Sequence, residues 1–336
     1  MATVGNLALT LADWAKRLDP MGKPAKIIEM LGQTNEVLDD MLIREGNLIT
    51  GHRTTIRTGL PKVYWKIINQ GVRTSKSTTA QIDSACGKLE AWSRVDREVA
   101  EIGGNPAAVR LSEAQAYIEA LNQKMASTLF YGNETVSPEE FTGLAVRYST
   151  LTKTAAVADN VISAGGSGSD NTSIWLVVWS DLTICGHFPK GSKAGLMHED
   201  WGLKPQIIQD AVKDGDNVKV QEVYLDKWCW SLGLTVKDWR FAVRICNIDA
   251  SELAAGNTKL IPLIIRALHR VPSLKMGKAA LYMNRACVQA LDIERFNTVA
   301  GAGMRYDEVD GQLRYSFRGV PIRVVDALHN AEAAVT

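Results

Sequence analysis

The stretch GHFPKGSKAGL, Gly186 to Leu196, carries two glycines at the spacing of a phosphate-binding loop, G-x-x-x-x-G-K-[ST]. In such a loop a lysine follows the second glycine, so that it leaves the first helical turn toward the phosphates while the next hydroxyl reaches Mg²⁺. Here the order is inverted, with Ser192 before Lys193, and Gly195, Gly202 and Pro205 interrupt any helix whose N-terminus could hold a phosphate. The spacing predicts an irregular loop and no nucleotide site. MHED, Met197 to Asp200, clusters one histidine with two carboxylates, and at that spacing it reads as a surface turn. Cys185 and His187 form a lone C-x-H pair, which reads as packing and not as metal ligation. The run SAGGSGSDNTS, Ser163 to Ser173, has Ser169 where a G-x-S-x-G nucleophile elbow needs its last glycine, so it is a loop by composition. The histidines, His52, His187, His198, His269 and His329, fall in unrelated contexts without an H-E-x-x-H. The pairs Asp39-Asp40 and Glu139-Glu140 suit helix faces and helix N-termini better than acid–base chemistry. No catalytic, cofactor or metal site is expected.

The elements that would position any site follow from periodicity. Residues 1–50 read as short helical pieces, LTLADWAKRL and AKIIEML among them, broken by Pro20, Pro24 and Gly32 and too poor in apolar surface to form a core; they predict an arm lying on something else. From His52 to about Val95 the texture is β, punctuated by Gly59-Leu60-Pro61 and Gly71. Arg53, Arg57, Lys62, Lys66, Arg73, Lys76, Lys88 and Arg94 there face only Asp83 and Glu90. So polar an excursion, with few apolar residues on either face, cannot support itself. Two readings stay open for it: a solvated surface hairpin, or a basic β-arm stabilised across a neighbouring subunit. A helix follows over 112–131, opened by Ser112 and Gln115 in capping-box positions and closed at Gly132, with Leu111, Ala114, Ile118, Leu121, Met125 and Leu129 as a core stripe. Ser137-Pro138-Glu139-Glu140 signals a second helix, with Phe141, Leu144 and Tyr148 on its apolar face.

Beyond it, IWLVVWS reads as a buried strand. Trp228, Trp230, Leu232 and Leu234, then Phe241, Val243 and Ile245, alternate as a pair of strands with a bulge or tight connection. Helices are expected in SELAAGNTKLIPLIIRALHRV, started or kinked at Pro262, and in RACVQALDIERFN, with the strand AALYMN between them. The C-terminal LRYSFRGVPIRVVDAL is strand-like with a break at Gly319-Val320-Pro321. The order lacks regular βαβ alternation and has no internal repeat, so the fold class is α+β.

The 336 residues are long enough for two ordinary domains, and at 46% hydrophobic and 22% charged they can build a sizeable core. A net charge of +1 excludes a whole-chain electrostatic grip on nucleic acid and leaves only local patches for DNA contact. No apolar run is long enough to cross a bilayer, and the N-terminus lacks a secretory signal pattern. Cys86, Cys185, Cys229, Cys246 and Cys287 are odd in number and scattered, which predicts reduced thiols and a cytoplasmic setting.

Four blocks carry a family resemblance: IWLVVWSDLTICGHFPKGSKAGLMHEDWG, WSLGLTVKDWRFAVRICNID, ALYMNRACVQALDI and FRGVPIRVVDALHNAEAAV, with LFYGN before them. In this order the chain resembles the major capsid proteins of tailed bacteriophages, particularly those of short-tailed phages. The resemblance implies the tailed-phage capsid fold: an N-terminal arm at 1–50, an extended β-hairpin loop at 51–100, a peripheral domain with a spine helix at 101–150, and an axial domain at 151–336 that also returns strands to the peripheral one. It implies a structural protein, not an enzyme, that self-assembles from hexamers and pentamers into an icosahedral shell around double-stranded DNA. The virion is assembled in the bacterial cytoplasm with a portal, a separate scaffolding protein and, in some relatives, a cement or decoration protein; DNA is touched only non-specifically and no membrane is involved. No signature of a Lys–Asn cross-link is present. Arg53, Arg57, Trp65 and Arg73 are the candidate inter-subunit contacts, because Arg and Trp are favoured at interface hot spots. An encapsulin-like compartment shell and a soluble α+β enzyme are the alternatives.

Overall fold

A computed structural model describes residues 32–102, 104–208, 219–297, 304–309 and 312–336. Most of the arm expected at 1–50, residues 1–31, lies outside the described residues. In chain order the first elements are α1 (Val37–Asp40), β1 (Ile43–Glu45), β2 (Gly51–Gly59), β3 (Thr78–Asp96), α2 (Arg97–Ile102), α3 (Pro106–Tyr131) and α4 (Leu144–Arg147). The middle of the chain forms β4 (Val161–Ser163), β5 (Asn171–Trp179), β6 (Ile184–Phe188), β7 (Leu196–Ile208), β8 (Lys219–Val236) and β9 (Ala242–Asp249). Then follow α5 (Ala250–Ala254), α6 (Leu260–Arg270), β10 (Lys278–Met283), α7 (Arg285–Asn297), β11 (Met304–Val309), β12 (Gln312–Phe317) and β13 (Val320–Val324). The chain is α+β, as its sequence predicts, and it divides into two compact units.

One unit gathers Lys88–Met125 and Gly195–Ser231 with Gln33, whose amide donates to Glu119 (2.8 Å). Here β7 runs antiparallel to β8, with a bulge between Asp200 and Gly202, and β8 also bonds β3. Val95, Val99, Ala100 and Val109 pack with Tyr224 as its small core. MHED is therefore not a surface turn: all four residues are in β7. His198 stacks on Trp228 (4.1 Å between ring centres) and meets Asp226 at 2.8 Å, while Arg110 bridges Asp226 (2.7 Å) and Asp200 (2.5 Å). Gly202, at φ +67°, sits at the bulge, and Pro205 lies in the regular ladder opposite Glu222.

The long helix α3 starts six residues earlier than its capping-box signal. Asn105 caps it, its side chain accepting from Ala108 N (3.2 Å), and Pro106 takes the first helical position, where no backbone N–H is needed. Ser112 and Gln115 are thus interior residues. The stripe divides as well: Leu121, Met125 and Leu129 are buried, but Leu111 and Ile118 are exposed.

The second unit gathers Thr34–Gly87, Ala126–Ala194 and Leu232–Thr336. All nine residues of β5 are buried, which is why the run reads as a continuous apolar strand. It pairs antiparallel with β9 and β10; β10 is parallel to β13, and β13, β12 and β11 form an antiparallel meander. The strands β8 and β9, expected as a pair, are not partners: Gly233–Val236 lies along β6, whereas β9 bonds β4 and β5. The residues after Gly132 do not form the helix that Ser137-Pro138 signals. They make turns, held by Thr135 N and Ser137 N bonding Asn133 and closed by Gly143 N on Gly132 O (2.8 Å). Phe141, Leu144 and Tyr148 are buried all the same. The C-terminal break falls at Arg318-Gly319, both at positive φ, and Pro321 sits inside β13.

Two ionic networks fix the ends of this unit. Asp40 of α1 is held by Lys278 (2.6 Å) and Arg323 (3.0 Å) and accepts from Tyr282 OH (3.2 Å), whose oxygen accepts from Trp179 Nε1 (2.7 Å). Glu332, near the C-terminus, is buried against Arg244 (2.8 Å), Tyr131 OH (2.5 Å) and the Ser173 hydroxyl.

Candidate assembly surface

The loop Gly186–Leu196 and the Cys185/His187 pair, which first suggested chemistry, have structural roles. The turn at Pro189–Ser192 offers its Gly191 amide to the Glu45 carboxylate (2.8 Å), so the donor and the space a phosphate would use are taken by a negative charge. His187 is a core residue. Its Nε2 lies 3.1 Å from the Ser84 carbonyl, which can only accept, so the proton is on Nε2 and Nδ1 accepts from the Thr235 hydroxyl (2.9 Å). Burial pushes this imidazole down to about 4. Among the described residues no three His, Cys, Asp or Glu side chains could hold a metal ion.

The surface that stands out is the β2–β3 hairpin. Its strands pair from Gly51↔Ala85 to Arg57↔Thr79, with a register shift before Gly59. Apart from Ile56, Ile82 and two alanines, side chains on the ladder are polar or charged: the Thr58 and Thr78 hydroxyls bond each other (3.1 Å), and Arg53 grips Asp83 through two bonds of 2.7 Å. These bonds hold the Asp83 carboxyl below the usual range. Beyond Gly59 the chain leaves the ladder; among the described residues it is tied across by Ser75 Oγ on the Lys62 carbonyl (2.7 Å) and by a turn at Ile67–Gln70, with Asn69 at φ +68°.

This tip is apolar and uncovered. Trp65 is 100% exposed, Val63 90% and Ile68 87%; Leu60, Tyr64, Ile67 and Val72 are exposed beside them. The sequence reading of few apolar residues on either face holds for the ladder but not for the tip. The run Val63-Tyr64-Trp65-Lys66-Ile67-Ile68 carried the signal; it reads as ordinary strand content until the structure shows that no described residue covers it. Of the four candidate contacts, Arg53 is engaged with Asp83 in its own hairpin. Arg57, Trp65 and Arg73 present open side chains, and no described residue pairs with the charges of Arg57, Lys62, Lys66, Arg73 or Lys76. A monomer seldom leaves such a patch to water unless another surface covers it.

The family model for Major capsid protein GP7 matches residues 19–336. A chain of the near-atomic cryo-EM structure of bacteriophage epsilon15 is 32% identical, with a TM-score of 0.79 over 100% of both chains. The capsid of an empty GTA particle (9% identity, 71% of this chain and 98% of that one, TM-score 0.42) and a chain from Mycobacterium phage Adephagia (11%, 68% and 92%, 0.39) are similar too loosely to bear on the argument. Comparison with curated protein sequences gives no match. Neither an encapsulin-like compartment nor a soluble enzyme is favoured by any of these similarities. The chain belongs to the GP7 family of major capsid proteins, the structural subunits of a bacteriophage shell.

Proposed function

We propose that this capsid subunit builds its shell by laying the β2–β3 hairpin over a neighbouring copy, with Trp65, Arg57 and Arg73 making the contact. The observation that carries this is the fully exposed Trp65 among uncovered Val63, Ile67 and Ile68 at the end of a polar ladder. A shell arises when one chain repeats the same contacts around several symmetry axes, and an extended arm adds interface area without enlarging the body. The unit built on α3, β7 and β8 suits the peripheral domain, and the unit built on β5, β9 and β10 suits the axial domain. On the same reading the chain forms hexamers and pentamers in the bacterial cytoplasm, guided by a separate scaffolding protein. A portal and a cement protein complete the particle, and DNA is enclosed through non-specific contacts.

The test is electron microscopy of the particulate fraction from Arg57→Glu and Trp65→Ala variants, expressed with and without a candidate scaffolding protein. The expected result is loss of closed shells with an unchanged circular dichroism spectrum and melting curve of the subunit. Normal shell yield from both variants would refute the role given to the hairpin.

A further inference from the structure

The free edge of β2 is shaped to accept one more strand. In the strand order β2 is terminal, with β3 as its neighbour on one side. The side chain of Asn47 shows which way its backbone groups point. Arg53 N donates to Asn47 Oδ1 (2.7 Å) and Asn47 Nδ2 donates to Arg53 O (2.8 Å), so both peptide groups of Arg53 face away from β3. In an antiparallel ladder this direction alternates with every residue, and the register is unbroken from Gly51 to Arg57. Thr55 and Arg57 therefore also turn N–H and C=O outward, and no described residue bonds them. They open onto a groove of about 700 Å³ lined by Thr54–Leu60 on one side and by Leu182 and Lys237–Arg240 on the other. Its apolar contributors are Ile56, Leu60, Leu182 and Trp239. Asn47 closes the edge at Arg53 and leaves the remainder open.

We propose that the hairpin tip of a second copy, residues Lys62–Ile68, fills this groove as an added strand. The tip has the pattern such a strand needs: Val63, Trp65 and Ile67 alternate onto one face, while Lys62 and Lys66 fall on the other. Paired antiparallel or parallel to β2, it would seat the three apolar side chains against Ile56, Leu182 and Trp239 and leave both lysines in water. Main-chain bonds to Thr55 and Arg57 supply the pairing, and the alternate side-chain pockets supply the selectivity. The tip cannot reach the groove of its own chain, because Leu60 at the groove's end is only two residues from Lys62. The contact is head-to-tail, the kind that closes rings when the rotation between copies allows. It rests on the assembly role proposed above for the hairpin and names the surface that the tip occupies.

Hydrogen–deuterium exchange on the unsubstituted chain tests it, comparing subunits with assembled shells. The amides of Thr55 and Arg57 are expected to exchange roughly 100-fold or more slowly in shells, whereas Arg53, already bonded to Asn47, changes little. In parallel, p-benzoylphenylalanine replacing Tyr64, an exposed aromatic of the tip that lies off the Val63-Trp65-Ile67 face, is photolysed in shells mixed from isotopically light and heavy chains. Cross-links joining light to heavy chains at 54–60, 182 or 237–240 support the pairing. Shells in which Thr55 and Arg57 still exchange freely overturn the inference and leave the assembly role standing. Protection of these amides with cross-links mapping elsewhere overturns the tip as occupant. If the unsubstituted chain forms no particles, both the assembly role and this pairing fall.

Discussion

Replacing Glu332 with Ala tests the buried network that fixes the C-terminal segment. The side chains of Arg244 and Glu332 are only 6% and 5% exposed, and their 2.8 Å contact is reinforced by Tyr131 and Ser173. Removing one partner of a buried pair leaves an uncompensated charge and typically costs about 3–5 kcal/mol. Against a folding free energy of about 5–15 kcal/mol that is a large fraction of the total. The midpoint of thermal unfolding of the unassembled subunit should fall on the order of 5–10 °C. Urea unfolding gives the free energy directly. The same measurements on Arg244→Met with Glu332→Leu separate the orphaned charge from lost packing. The double variant should recover part of the loss, but not all of it, because Arg244 also donates to the Ala145 and Tyr148 carbonyls (3.3 and 3.0 Å). A cost below about 1 kcal/mol for Glu332→Ala would refute the reasoning, since removal of a needed partner from a buried charge cannot be that mild.

Two further outcomes follow from burial. The folded pKa of His187 is lowered to about 4 from an ordinary 6.5, so the unfolded chain takes the proton first. Its contribution to stability is therefore complete above pH 6.5 and is lost as pH falls toward 4, at roughly 1.4 kcal/mol per pH unit. His187→Gln should flatten that acid limb in unfolding measurements, and an unchanged slope would contradict the assignment. Burial also pushes the thiols of Cys86 and Cys246 up to about 11 and that of Cys287 up to about 12. A thiol reagent at pH 8 should reach at most the half-buried Cys86 in the native subunit and all five cysteines after denaturation; rapid native labelling of Cys246 or Cys287 would show that the core opens.

What the sequence revealed depended on how local the deciding interactions are. The strand IWLVVWS was legible because both its faces are buried, and nothing but apolar or β-branched side chains suits it. RACVQALDIERFN matches α7 residue for residue, flanked as expected by β10. The start of α3 was hidden by competition between two valid signals, Asn105-Pro106 and Ser112–Gln115, and the helix-compatible residues between them let the earlier one win. The strand β7 was illegible for a different reason. Its Gly202 and Pro205 argue against a strand, and only pairing with β8, across a bulge, holds it extended. The partners of β8 and β9 were likewise decided at long range. Trp65 was singled out by residue type, but its full exposure and the outward peptide groups of Thr55 and Arg57 are three-dimensional facts.

The distribution of charge along the chain suits a subunit that must fold before it associates. Two of its buried ionic groups anchor the second unit: Asp40 with Lys278 and Arg323, and Glu332 with Arg244. Such groups contribute little net stability over an apolar alternative, but they accept few other geometries, which fixes the placement of α1 and of the segment around Glu332. Its unpaired cations, in contrast, flank the apolar tip at Lys62, Lys66, Arg73 and Lys76. Lysines beside an exposed strand hinder indiscriminate edge-to-edge pairing. Like charges on two tips oppose tip-to-tip contact, while alternation leaves the Val63-Trp65-Ile67 face free to enter a groove in which Lys237 and Arg240 are already paired with Asp181 and Asp238 and, of the lining cations, Arg57 lacks a described partner. The same tip is thus discouraged from meeting its like and permitted to meet the root of another hairpin, which is the discrimination that head-to-tail assembly requires.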